Sequence, residues 1–152
     1  MRAVLIDPFA CRVADLDLPD PPRPARGRVS PVAAQSEQRV LSAIYAALSH
    51  ETMPVDYVEA VELGGGEHLL VDEEGKIKQD RGGLICQRYF RLRGYHETLA
   101  GKGLILGAEP SGTERSTRFT VEMIRPRVMY LELAGPFIRE TTRPWQRMTT
   151  AS

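Results

Sequence analysis

Val55-Asp56-Tyr57-Val58-Glu59-Ala60-Val61-Glu62-Leu63-Gly64-Gly65-Gly66-Glu67-His68-Leu69-Leu70-Val71 decides the fold class. Two runs rich in apolar and β-branched residues, Val55 to Leu63 and His68 to Val71, flank three consecutive glycines. Glycine adopts positive φ without a Cβ clash, so the triplet supplies a hairpin connection and the flanking runs pair as antiparallel strands. A ligand cradle is the alternative reading of the same glycines.

Upstream, Val40, Leu41, Ile44, Tyr45, Ala47 and Leu48 recur at the i, i+3, i+4 spacing of an amphipathic helix. Ser36 suits its N-cap and Glu37 the positive end of its dipole, while Pro54 stops any continuation, so the helix is expected over about residues 36–50. Arg2 to Ile6 reads as a strand ended by the Asp7-Pro8 turn, and Cys11 to Leu18 as a second strand. Four prolines between Pro19 and Pro24 predict a solvated surface loop over 19–31.

Downstream, Leu84 to Arg93 alternates. Leu84, Cys86, Phe90 and Leu92 fall on one face, with Arg88 as the exception, and Gln87, Tyr89, Arg91, Arg93 and Tyr95 on the other. Gly103 to Gly107 is a short apolar strand, and Glu109 to Thr113 a turn. Thr120 is suited to cap a helical turn that ends near Pro126, before a last strand from Arg127 to Leu133, although Phe119, Val121 and Met123 also permit strand. The elements together predict an α+β fold: a single mixed, mostly antiparallel sheet with one main helix packed on one face. The chain of 152 residues is expected to form one domain over 1–134. For the tail, 135–152, docking through Phe137, Ile138 and Trp145 and partial disorder both stay open.

The net charge is zero, but the charges are segregated. Glu51 to Asp80 holds nine carboxylates against two lysines, whereas the stretches Arg81 to Lys102 and Arg115 to the end each carry a surplus of four positive charges. No apolar run approaches the roughly 20 residues of a membrane span, and the first residues do not form a signal peptide, so a cytoplasmic protein without membrane contact is expected. Cys11 and Cys86 are too few for a disulfide framework and are expected as free thiols.

Several residues carry chemistry in principle. Tyr89, Arg91, Arg93 and Tyr95 on one strand face pair rings that can stack on bases with guanidinium groups that can neutralise phosphates. A solvated face bridged to the acidic hairpin is the alternative. Arg115, Arg118, Arg125 and Arg127 add to the basic surface if the fold brings them to the same side. Glu73 and Glu74 form an acidic counterpart suited to a basic partner protein. Leu99-Ala100-Gly101-Lys102-Gly103 invites comparison with a phosphate loop, but Gly94 is seven residues before Gly101 and Gly103 stands where a Ser or Thr would meet magnesium. A tight turn between strands explains these glycines equally well. His50, His68 and His96 lack metal-ligand spacing, and Cys86 on an apolar face is a poor nucleophile. No metal, cofactor or catalytic residue is expected.

Leu5-Ile6-Asp7-Pro8, Leu63-Gly64-Gly65-Gly66, Val71-Asp72-Glu73-Glu74-Gly75, Arg88-Tyr89-Phe90-Arg91, Gly94-Tyr95 and Leu99 to Gly107 occur in that order. The pattern, over about Arg2 to Leu133, resembles Domain of Unknown Function 3846; the proline loop and the basic tail depart from it. The resemblance implies a protein of phages, plasmids and integrated bacterial elements, and no catalytic residues to carry over. The expectation is a non-enzymatic accessory protein that binds a host or element-encoded protein, defence-related in one version, with nucleic acid as the next partner and a homodimer left open. The rival is a small metabolite- or nucleotide-binding domain or enzyme that uses the 94–107 loop through His96, Glu97 and Lys102.

Overall fold

The computed structural model describes residues 1–23, 31–51, 53–76 and 88–146. The Tyr57 to Asp72 region forms the hairpin that its glycines predict. β3 (Val58–Gly64) and β4 (Glu67–Asp72) pair antiparallel, with Gly64, Gly65 and Gly66 all at positive φ. β1 (Arg2–Asp7) pairs with β2 (Arg12–Asp17). β7 (Gly103–Ala108) lies between β1 and β4 and also pairs with the short β8 (Glu114–Arg115). The first sheet therefore runs β2-β1-β7-β4-β3.

The expectation of one sheet is corrected here. β5 (Arg88–Leu92), β6 (Thr98–Ala100), β9 (Val128–Ala134) and β10 (Phe137–Glu140) form a second sheet in the order β10-β9-β5-β6. The described part of the strand expected over Leu84 to Arg93, β5, does not join the hairpin, because it takes β9 and β6 as its antiparallel neighbours. Residues 84–87, Cys86 among them, lie outside the described residues, as does most of the proline loop.

The main helix, α1, spans Pro31–Leu48 rather than 36–50. It begins at a proline, whose fixed φ suits the first helical position and whose missing N–H is no loss there, so Ser36 lies inside the helix rather than at its start. Its buried stripe is Val40, Ile44 and Leu48, which packs with Ala3, Leu5, Leu104 and Leu106 on one face of the first sheet. The opposite face of that sheet, through Val4, Ile6, Leu69, Val71 and Ile105, meets Phe90, Leu92 and Leu99 of the second. The layers are thus helix, sheet, sheet. At Gly103 an added Cβ would come within 2.6 Å of the Phe90 ring, so its role is close packing between sheets.

α2 (Val121–Ile124) starts where the capping residue predicts: the Thr120 hydroxyl accepts a hydrogen bond from the Met123 amide. It buries Val121 and Ile124 in the inter-sheet core and passes into a 3-10 turn, Arg125–Arg127, before β9. The described part of the tail ends at Gln146. Of the three side chains expected to dock it, Trp145 packs inward, while Phe137 and Ile138 on the edge strand β10 are exposed. Among the described residues no helix is long and apolar enough to cross a membrane.

Candidate functional site

β5 and the turn after it carry Tyr89, Arg91, Arg93 and Tyr95, and the second sheet divides them. Tyr89 sits opposite Ala100 of β6 and Leu131 of β9. It is 6% exposed and clusters with Phe9, Met53, Leu131 and Trp145. The expectation that Tyr89 shares an open face with the arginines is therefore corrected. Alternation assigns it the right side of the strand, but the β1–β2 turn and the tail cover that side.

Two residues further along, the cover has ended. Arg91 is exposed, and its guanidinium donates to the Thr98 hydroxyl at 2.9 Å. Arg93 is also exposed, and its amide donates to the Arg127 carbonyl at 2.8 Å, which places the two arginines side by side where β5 and β9 meet. Met129, opposite Arg91 in the ladder, is 41% exposed. None of Arg91, Arg93 and Arg127 has a carboxylate partner among the described residues. Like charges on adjacent segments repel, and among the described residues no anion pairs with these arginines to offset the repulsion. Tyr95 does not complete a row with them: it is half-buried against the inter-sheet core, its ring tilted on that of His96.

The other arginines divide by burial. Arg115, expected to join the basic surface, instead donates to Glu67 at 2.9 Å and lies over Gly107, where any Cβ would collide with its guanidinium. Burial alone would raise the Glu67 pKa. The Thr117 hydroxyl at 2.5 Å, the Arg118 amide at 3.0 Å and Arg115 overcome that effect and hold it below the ordinary carboxylate value. Arg88, the sequence exception on its apolar face, is 5% exposed. It pairs with Glu132 at 3.5 Å and donates to the Arg143 carbonyl at 2.7 Å, fixing the tail. Arg118 and Arg125 are exposed.

Lys102 occupies the turn from β6 to β7, and the turn is not a phosphate cradle. Gly101 has the positive φ of a tight turn, but its amide already donates to the Arg88 carbonyl at 2.9 Å. A strand, not a helix, follows. The Lys102 ammonium, 15% exposed, is directed at Asp7, 3.8 Å away. His96 and Glu97 lie at the other end of β6, where Glu97 meets Lys76 at 3.4 Å. The trio of the rival reading is therefore not brought together. Glu73 and Glu74 form the turn after β4, with the Glu73 amide on the Tyr57 carbonyl and the Glu74 amide on the Asp72 carboxylate.

What sequence reasoning missed is the cluster around the β1–β2 turn. Asp7 is buried, and its carboxylate accepts from the Phe9 and Ala10 amides at 3.0 and 3.2 Å. Phe9 stacks flat on His50 with ring centroids 3.8 Å apart, and Trp145 meets both rings edge-on. Cys11 closes the turn at φ 50°, in the left-handed region, with its thiol on the Arg143 carbonyl at 3.4 Å. Burial pushes the Cys11 thiol pKa up despite Arg88 nearby, so this thiol is a poor nucleophile. Burial likewise pushes the Tyr130 hydroxyl up to about 12. The Asp-Pro pair marks the turn in the sequence, but nothing local pairs Phe9 with His50 or Trp145. No group of three His, Cys, Asp or Glu side chains converges as a metal site among the described residues.

Comparison with protein-family models, curated proteins and solved structures gives no match to this chain.

Proposed function

We propose that this chain is a non-enzymatic accessory protein of a mobile genetic element that binds nucleic acid through Arg91, Arg93 and Arg127. The observation that carries the binding is the exposed pair Arg93 and Arg127, side by side next to Arg91, with no carboxylate partner among the described residues. A phosphate backbone relieves that repulsion and offers pairs of anionic oxygens that a planar guanidinium can grip bidentately. With Tyr89 buried, the face has no ring among the described residues on which to stack a base, so contact is to sugar and phosphate and carries little sequence preference. The mobile-element origin rests on what the resemblance to Domain of Unknown Function 3846, carried by the order of motifs from Leu5 to Gly107, implies.

Fluorescence anisotropy with a labelled duplex over a salt series tests this reading. Three phosphate contacts give a slope of log affinity on log salt of about −2.7, and each Arg→Ala change among the three reduces its magnitude by about 0.9. Binding that is absent at low salt, or a slope unchanged in the triple variant, rejects it. An acidic surface of a host protein is the other partner that such a face would suit. Salt-sensitive capture of a host protein by a chain that ignores nucleic acid would replace the one with the other.

A further inference from the structure

We infer that His50 is a proton-operated latch for the C-terminal strap: neutral, it holds Trp145 over the β1–β2 turn, and protonated, it lets Trp145 go. The strap leaves β10 and turns back across the molecule. The Thr141 amide donates to the Tyr130 carbonyl at 2.9 Å, the Arg143 carbonyl accepts from Arg88 at 2.7 Å, and the Trp145 amide donates to the Phe9 carbonyl at 2.5 Å. Beyond Arg143, among the described residues, the strap is held by that last bond, by ring contacts and by packing of Trp145 on the cluster of Phe9, Met53, Tyr89, Ala100 and Leu131. The Trp145 indole meets His50 edge-on at 5.2 Å and 86°, and Phe9 at 6.3 Å and 84°.

His50 is the centre of the assembly. Its ring lies parallel to Phe9 within 4°, just beyond the end of α1. Among the described residues, the charged groups that act on it include Lys102 on the β6–β7 turn, Asp7 at the base of the β1–β2 turn, and Glu51 next in the chain. Asp7 is a weak counter-ion for an imidazolium, because its carboxylate already accepts two amides and faces Lys102 at 3.8 Å. Burial and the Lys102 ammonium therefore outweigh Glu51 and Asp7, and the imidazole pKa lies below its ordinary 6.5. Near pH 7 the ring is uncharged and packs as an aromatic plate. A proton places a second cation beside Lys102 in a half-buried stack, and Trp145, at the end of the strap, gives way. Cation–π attraction to Phe9 opposes this, and the Lys102 variant below weighs the two.

Trp145 is the one tryptophan of the chain, so its emission reports the latch directly. A titration from about pH 7.5 down to about pH 5, through the range where histidine titrates, should show a sigmoidal loss and red shift of emission. Acrylamide quenching should rise with it, while the far-ultraviolet circular dichroism holds constant. The midpoint should fall below 6.5, shift upward in Lys102→Met, and be missing in His50→Gln. His96→Gln should leave the curve unchanged. A flat emission profile, a transition retained in His50→Gln, a midpoint unmoved in Lys102→Met, or a transition that coincides with loss of secondary structure would each overturn the inference.

Discussion

The two ends of β5 differ by one step of the strand and by everything that covers them. Tyr89 and Arg91 fall on the same side by alternation, yet Tyr89 lies under Phe9, Met53 and Trp145 while Arg91 faces solvent. At the covered end a polar-tipped ring serves as core. At the open end, guanidinium groups stand without carboxylate partners among the described residues. The pleat of a strand sets which side a residue takes, but whether that side is inside or outside depends on segments far away in the chain.

The comparison breaks most visibly at the covered end. Tyr89→Ala should destabilise the fold by about 3 kcal/mol, the low end for removing a buried aromatic ring, as read from chemical denaturation. A loss under about 0.5 kcal/mol would mean that the end is open after all.

The next effect contrasts an arginine that has a buried carboxylate with those that have none. Arg115→Ala strands Glu67, which is 4% exposed, and should cost about 3 kcal/mol in the same denaturation experiment. Because the folded Glu67 pKa is depressed, its contribution is present above the ordinary carboxylate pKa of 4.5 and is lost as pH falls through the folded value. Wild-type stability should therefore drop on acidification below about pH 4.5, and Glu67→Gln should flatten that part of the profile.

At the open end the stability effects are smallest. Arg91→Ala and Arg93→Ala should each change stability by no more than about 0.5 kcal/mol in thermal unfolding. A larger loss would show that these arginines hold the fold together, and that their exposure had misled the assignment of a binding face.

Much of the architecture was legible in the residues. The glycine triplet with flanking apolar runs specified the β3–β4 hairpin, and the i, i+3, i+4 stripe specified the buried face of α1 through Val40, Ile44 and Leu48. Thr120 marked a helix start. The start of α1 was misjudged because Ser36 and Pro31 both look like first-turn residues, and local chemistry does not rank them. The site was legible only in part: Arg91 and Arg93 are exposed as alternation predicts, whereas Tyr89, Lys102 and Arg115 are each turned inward by a partner distant in sequence.

Periodicity and turn chemistry act over a few residues, so the sequence by itself determined that this chain forms antiparallel strands, one long amphipathic helix and tight glycine turns. That the strands divide into two sheets, and that Trp145, Phe9 and His50 close over one end of β5 while Arg91, Arg93 and Arg127 remain in water, was decided only by the tertiary structure. Burial is a property of what lies on top of a residue, and nothing in a local pattern records which distant segment will arrive there.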